Sequence, residues 1–193
     1  AITRNGKIKV YLNDNIENSY EASIVGYDSS TDLAVIKINK NNLPAIEIGN
    51  SSTLKVGQNA VAVGSPGGLQ FMGSVSVGYI SGLNRELTID SAKMTLIQTD
   101  TAINPGNSGG ALFDMMGNLV GVVNAKTSES GIEGLGFAIP ANVVAKDIKD
   151  IYPEYPTLKL MSIIYEHSVP KTILPEENVI VVFCGQGCHN HAL

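Results

Sequence analysis

Ser108 stands between glycines in the run Asn104, Pro105, Gly106, Asn107, Ser108, Gly109, Gly110, just ahead of an apolar stretch. A serine so placed has the setting of an acyl-transfer nucleophile. Glycines let the backbone take turns that a Cβ forbids, which frees the hydroxyl to project and lets nearby N–H groups converge. Acyl transfer needs both, because the attacked carbonyl oxygen becomes an oxyanion and must meet donors already in place. The hydroxyl also needs a base to take its proton and a carboxylate to orient that base. Asp32, at the mouth of the apolar run 33–38, is a candidate carboxylate, although turn chemistry at the start of a strand explains an aspartate there equally well. The three histidines, His167, His189 and His191, all follow Ser108. Cys184, Cys188, His189 and His191 offer thiolate and imidazole, which zinc accepts. Their spacing is not that of a standard finger, and an incidental tail explains them as well.

The elements that must position these groups are short and β-like. Residues 7–12 alternate, with Ile8, Val10 and Leu12 on one side, as a half-buried strand does. Asn13, Asp14 and Asn15 are turn residues. A second strand holds Ala22, Ile24 and Tyr27, and the near-continuous apolar run 33–38 reads as a strand buried on both faces. Residues 60–64 form a strand ended by Ser65, Pro66, Gly67 and Gly68, an emphatic turn. Alternation at 74–79, then 87–89 and 94–98, leads into the serine loop. Residues 111–113 and 119–123 flank a turn and make a hairpin. Pro140 suits a helix start, and Val144, Ile148 and Ile151 give that helix an apolar stripe that Pro153 ends. Short strands with Gly-rich turns describe an all-β barrel or sandwich. Residues 1–151 therefore read as one domain, and 152–193 as a linker and C-terminal extension of different character.

The bulk numbers exclude several classes. The 193 residues are 44% hydrophobic and 16% charged, with a net charge of −5 and no long basic run, so nucleic acid is a poor partner. No apolar run reaches the roughly 18 residues of a membrane span. Both cysteines fall in the last ten residues, which leaves the body without a disulfide framework. The serine chemistry calls for no metal and no organic cofactor.

Together with Thr31, Asp32, Leu33, Ala34 and Val35 upstream and Gly136, Phe137, Ala138, Ile139 and Pro140 downstream, the block 98–112 resembles the protease domain of the HtrA/Deg family of trypsin-like serine endopeptidases. The likeness covers about residues 1–150. It implies a trypsin-like double β-barrel with one C-terminal helix. Ser108 would be the nucleophile and Asp32 the carboxylate that orients the base. The oxyanion loop would comprise Gly106, Asn107 and Ser108, with the N–H groups of Gly106 and Ser108 as donors. Ile103, Asn104, Val123, Asn124, Ala125 and Phe137 would bind substrate, the strand from Val123 pairing with its backbone. None of the positions resembling the S1 wall is an acid, so small or medium aliphatic P1 residues are expected. The implied partners are unfolded or extended polypeptides, with homo-oligomers compatible, and the implied setting is the cell envelope, periplasm or exterior. One part departs from the pattern. No histidine precedes Asp32, and the family pattern puts it directly ahead of Ala1. The N-terminal barrel is therefore expected to be incomplete and this chain alone a poor hydrolase. A peptide-binding PDZ module, expected after the helix, is not recognisable in 152–193.

Two rival readings share the serine loop. An α/β-hydrolase would use Gly106, Ser108 and Gly110 as G-x-S-x-G with His167 and either Asp147 or Asp150. That elbow needs a helix after the serine, where this sequence reads as a hairpin. A barrel without its base would still bind extended peptides by β-augmentation.

Overall fold

The computed structural model describes residues 8–12, 15–41, 43–89, 91–124, 134–153 and 179–183. Two β layers result. The first is a four-stranded antiparallel sheet in the order β1, β2, β3, β10, made of Ile8–Leu12, Asn15–Asp28, Leu33–Ile38 and Val179–Phe183. The second is a closed six-stranded barrel, β4 (Asn59–Gly64), β5 (Ser74–Ile89), β6 (Ala92–Thr99), β7 (Ala111–Phe113), β8 (Leu119–Asn124) and β9 (Gly136–Pro140), arranged β4-β5-β6-β9-β8-β7. Helix α1 (Ala141–Ile151) follows β9 directly. The described residues are thus mostly β, with one α-helix after the last barrel strand. Residues 111–124 form the hairpin the sequence indicates, with Ala111 opposite Val122, so a strand and not a helix directly follows the serine loop. The α/β-hydrolase reading fails on that ground.

Chain order alone does not reveal the place of β10. It runs antiparallel to β3, with Val179 opposite Lys37 and Phe183 opposite Leu33, and so joins the layer built from residues 8–38. Residues 179–183, which the sequence shows only as an apolar run, are the fourth strand of the first sheet. The linker residues 154–178 and the tail 184–193, with the candidate ligands Cys184, Cys188, His189 and His191, lie outside the described residues, as does His167.

One buried cluster ties the two layers together. Leu33 and Val35 of β3 pack with Val63, Leu96, Ala111, Phe113, Leu119 and Val122 of the barrel and with Val144 and Ile148 of α1. The other face of β3 points elsewhere: Ile36 and Ile38 join Val10, Leu12 and Leu43 in a separate cluster. That two-sided burial is why 33–38 carries no polar alternation apart from Lys37. In β5 the apolar residues face out. Val75, Val77 and Tyr79 are exposed, while Ser76, Gly78 and Ile80 point inward. Crowding sets this orientation, since a Cβ at Gly78 would come within 2.5 Å of Asp100 Oδ1 and 2.7 Å of the Thr101 nitrogen.

Candidate active site

The loop that carries Ser108 is two consecutive turns, each fixed by local residue type. Asn107 N–H donates to Asn104 O at 2.9 Å, with Pro105 and Gly106 at the corner. Gly106 has φ +99°, which only glycine takes cheaply at the third position of a type II turn, and Pro105 suits the second. Gly110 N–H then donates to Asn107 O at 2.9 Å, with Ser108 and Gly109 (φ +83°) at the next corner. Ser108 is half-buried at this second corner.

Neighbouring strands hold both flanks of the loop. On one side Gly67 N–H, from the Ser65-to-Gly68 turn, donates to Pro105 O at 3.2 Å. The Pro105–Gly106 peptide is trans, so the Gly106 N–H points the opposite way from that carbonyl, and it donates to no backbone oxygen among the described residues. On the other side Gly109 N–H donates to Val123 O at 3.0 Å and Val123 N–H to Gly110 O at 2.8 Å. The approach to the loop is braced as well. Asp100 Oδ1 accepts Tyr79 N–H at 2.6 Å, Thr99 Oγ1 donates to Tyr79 O at 2.7 Å, and Ser76 Oγ donates to Ala102 O at 3.0 Å. Asn107 is buried beneath, its Nδ2 donating to Ala102 O at 3.4 Å. The Asn107 N–H is engaged by Asn104 O, so Asn107 shapes the serine loop from below.

The residues assigned to substrate contact gather at one end of the barrel. Ile103 lies over Gly136, where a Cβ would meet its Cγ1 at 2.6 Å. Phe137 is paired with both Gln98 and Asn124, which puts Asn124 and Phe137 on adjacent strands beside Ile103. Asn124 is fully buried, and Asn104 is exposed at the first turn. Val123 is 1% exposed, and both its backbone groups bond the serine loop and so secure it. Ala125 lies outside the described residues. Among the described residues no three His, Cys, Asp or Glu side chains are grouped to hold a metal, and no helix is long and apolar enough to cross a membrane.

Asp32 closes the turn between β2 and β3 at φ +58°, a left-handed conformation that a non-glycine residue keeps only when its surroundings hold it. Its chain neighbour Leu33 and the Ser108 hairpin residue Ala111 belong to the same buried cluster. Asp28 starts this turn, its Oδ1 accepting from Ser30 Oγ at 2.6 Å and Ser30 N–H at 2.7 Å. The Ser30 hydroxyl, then its N–H, hold the Asp28 carboxyl below the usual carboxylate range. Behind the turn stands Asp147 of α1, only 6% exposed. Burial pushes its carboxyl up, against a smaller downward pull from the Thr31 hydroxyl. Sequence reasoning gave Asp147 no part in the trypsin-like site, although it lies on the same helical face as Val144, Ile148 and Ile151.

The trypsin-like peptidase domain profile matches residues 2–122. The chain is similar to serine protease Do-like HtrB of Bacillus subtilis, 48% identical over 128 residues that are 64% of this chain and 28% of that protein. It is likewise similar to a probable periplasmic serine endoprotease, DegP-like, of Chlamydia pneumoniae, 50% identical over 137 residues, 70% of this chain and 27% of that protein. Among solved structures it matches the HtrA-type protease AlgW with decapeptide at a TM-score of 0.70 and 40% identity, over 78% of this chain and 46% of that one. The chain thus spans less than a third of the length of these two curated relatives.

Proposed function

The chain belongs to the HtrA/DegP family of trypsin-like serine proteases, and from that premise we propose that it carries the nucleophile side of a serine endopeptidase acting on unfolded or extended polypeptides. Ser108 attacks the scissile carbonyl, the N–H groups of Gly106 and Ser108 receive the oxyanion, and Asp32 orients the imidazole that serves as base and then acid. The observation that carries this reading is the double turn at 104–110, pinned by Gly67 on one flank and Val123 on the other. Such pinning costs nothing at the moment of reaction, which is what an oxyanion site requires. Ile103, Asn124 and Phe137 present no acid to a P1 side chain, which favours small or medium aliphatic residues there. The relatives named as periplasmic endoproteases support a setting in the cell envelope, and the peptide-bound AlgW structure supports extended peptide as the ligand class.

The base is the part these residues do not provide in trypsin-like order, since no histidine of the sequence precedes Asp32. Residues 1–193 are therefore expected to leave casein-like substrates uncut, with Ser108 modified only slowly by a small fluorophosphonate. Joined behind a segment carrying the family's histidine, the same residues should hydrolyse a fluorogenic peptide. Ser108→Ala should abolish that turnover, and Asp32→Asn should lower it by about 10⁴-fold by holding the imidazole in the wrong tautomer. Ser108-dependent turnover by residues 1–193 alone would reassign the base to a downstream histidine. An uncut library with the histidine in place would leave a peptide-binding barrel as the function.

A further inference from the structure

β6 parts from β5 after Thr99, and side chains take over from the ladder there. Thr99 is still paired with Ile80. One step on, Asp100 N–H donates to Tyr79 O at 3.2 Å. The Tyr79 N–H, which a regular antiparallel pair would return to the Asp100 carbonyl, goes instead to the Asp100 carboxylate, Oδ1 at 2.6 Å. Thr99 Oγ1 donates to Tyr79 O at 2.7 Å, so its proton is used, and the buried Thr101 hydroxyl is the donor in the 2.6 Å contact between the two threonines. Further along, Ser76 Oγ donates to Ala102 O at 3.0 Å. The same carbonyl accepts Asn107 Nδ2 at 3.4 Å, so the departing chain and the serine loop share an anchor.

The side chain that this path delivers is Ile103. It packs on the cluster of Ile80, Ile97 and Val123. With Thr99 it stands over Gly136, where a Cβ would meet Ile103 Cγ1 at 2.6 Å and Thr99 Cγ2 at 3.2 Å. We infer that Asp100 and Ser76 are positioning residues that set P1 specificity from outside the pocket. Their bonds fix the line along which the chain leaves β5, and so how far Ile103 closes the pocket. The inference rests on the pocket proposed above, with Ile103, Asn124 and Phe137 around P1. The Asp100 bond is charge-assisted and short, the stronger kind. The Ser76 bond lies on the other side of Gly78, so the two together fix direction as well as position. With either bond gone, residues 100–103 swing off β5, Ile103 withdraws, and the pocket admits a bulkier P1 side chain.

The test labels Ser108 in the full 193-residue chain with two peptidyl phosphonates that differ only at P1, valine or phenylalanine. A small fluorophosphonate without a P1 side chain is the reference. Asp100→Ala and Ser76→Ala should each lower the valine-to-phenylalanine ratio of labelling rates by about tenfold, the low end of what one methylene is worth in an apolar pocket. The fluorophosphonate rate should stay unchanged. Asp100→Asn keeps an acceptor oxygen and Ser76→Thr keeps a hydroxyl, so both should restore the ratio. Glu86→Gln, which breaks the 2.7 Å Lys93 pair between the same two strands, should leave it alone. A ratio unchanged in both alanine variants overturns the proposal, as does a fall of all three rates by one common factor. The Ile103 methyl resonances are followed by NMR in the same samples. They should shift in the alanine variants and return in Asp100→Asn and Ser76→Thr. If Ser108 of the parent reacts with none of the three reagents, the protease reading fails and these resonances decide alone. Shifted and restored, they uphold the positioning of Ile103 by Asp100 and Ser76; unmoved, they overturn it.

Discussion

At the scale of single residues, the chemistry is legible wherever conformation is written locally. Asn104, Pro105 and Gly106 specify a type II turn by type alone, and the structure gives Gly106 φ +99°. Gly106 also lies hard against the opposing turn, where a Cβ would sit 2.6 Å from Ser65 O and 2.7 Å from the Gly67 nitrogen. Gly106→Ala should therefore displace the peptide whose N–H is to receive the oxyanion while sparing the barrel. Loss of one such donor costs about 10²–10³-fold, so Ser108 phosphonylation should fall by that order with an unchanged circular dichroism spectrum. Equal labelling of the variant and the parent would show that this N–H is not part of the site. Asp147 was not legible in the same way. Its position on the helix, three residues after Val144 and one before Ile148, puts an acid within the apolar stripe, and that mismatch was the available signal. The helix that carries it packs on β2 and β3, more than a hundred residues away, and no local pattern encodes that approach.

At the scale of elements, the β2–β3 turn is the joint on which the two layers depend, and Asp28 at its start and Asp147 of the helix packed behind it respond to pH in opposite senses. Asp28 is held low by Ser30, so its contribution to stability is present above the ordinary carboxylate range and is lost as pH falls through the lowered folded value. Asp147 is pushed up by burial, so its contribution is present in acid and is lost as pH rises. Ser30→Ala removes the brace on Asp28 and leaves Asp147 in place. The urea midpoint of that variant should lie below the parent's at neutral pH, and the gap should close on acidification past the carboxylate range. A gap independent of pH would mean that Ser30 acts by shape and not through the Asp28 charge. The strands themselves were largely readable from alternation and turn residues. The orientation of β5 was less so, because whether Val75, Val77 and Tyr79 or their small neighbours face inward depends on how closely Asp100 and Thr101 approach. The partner of β10 was not readable at all, since strand pairing over more than a hundred residues leaves no trace in either segment.

At the scale of the molecule, the two layers differ in closure, and the difference divides the proposed triad. The barrel is closed, so each of its six strands has neighbours on both sides. The sheet is open among the described residues, with β1 and β10 at its edges. Among the residues whose burial is described, its own cluster of Val10, Leu12, Ile36, Ile38 and Leu43 is small beside the shared core, to which the sheet gives the buried Leu33 and Val35 with Val25 packed against them. Segments with few buried contacts and unpaired edges open at lower free energy than the rest of a fold. The layer that bears Asp32 should therefore loosen before the layer that bears Ser108. Hydrogen exchange read by mass spectrometry in rising urea tests this directly. Amides of β1 and the outer half of β2 should lose protection first, while β4, β6, β8 and the 107–110 turn keep theirs to the main transition. Over that interval the Ser108 loop should stay folded while Asp32 is no longer aimed. Phosphonylation of Ser108 that needs only the oxyanion site should then persist, and any turnover that needs an oriented imidazole should already be gone. A single transition shared by both layers would show instead that Leu33 and Val35 couple the sheet to the barrel strongly enough to make them one cooperative unit.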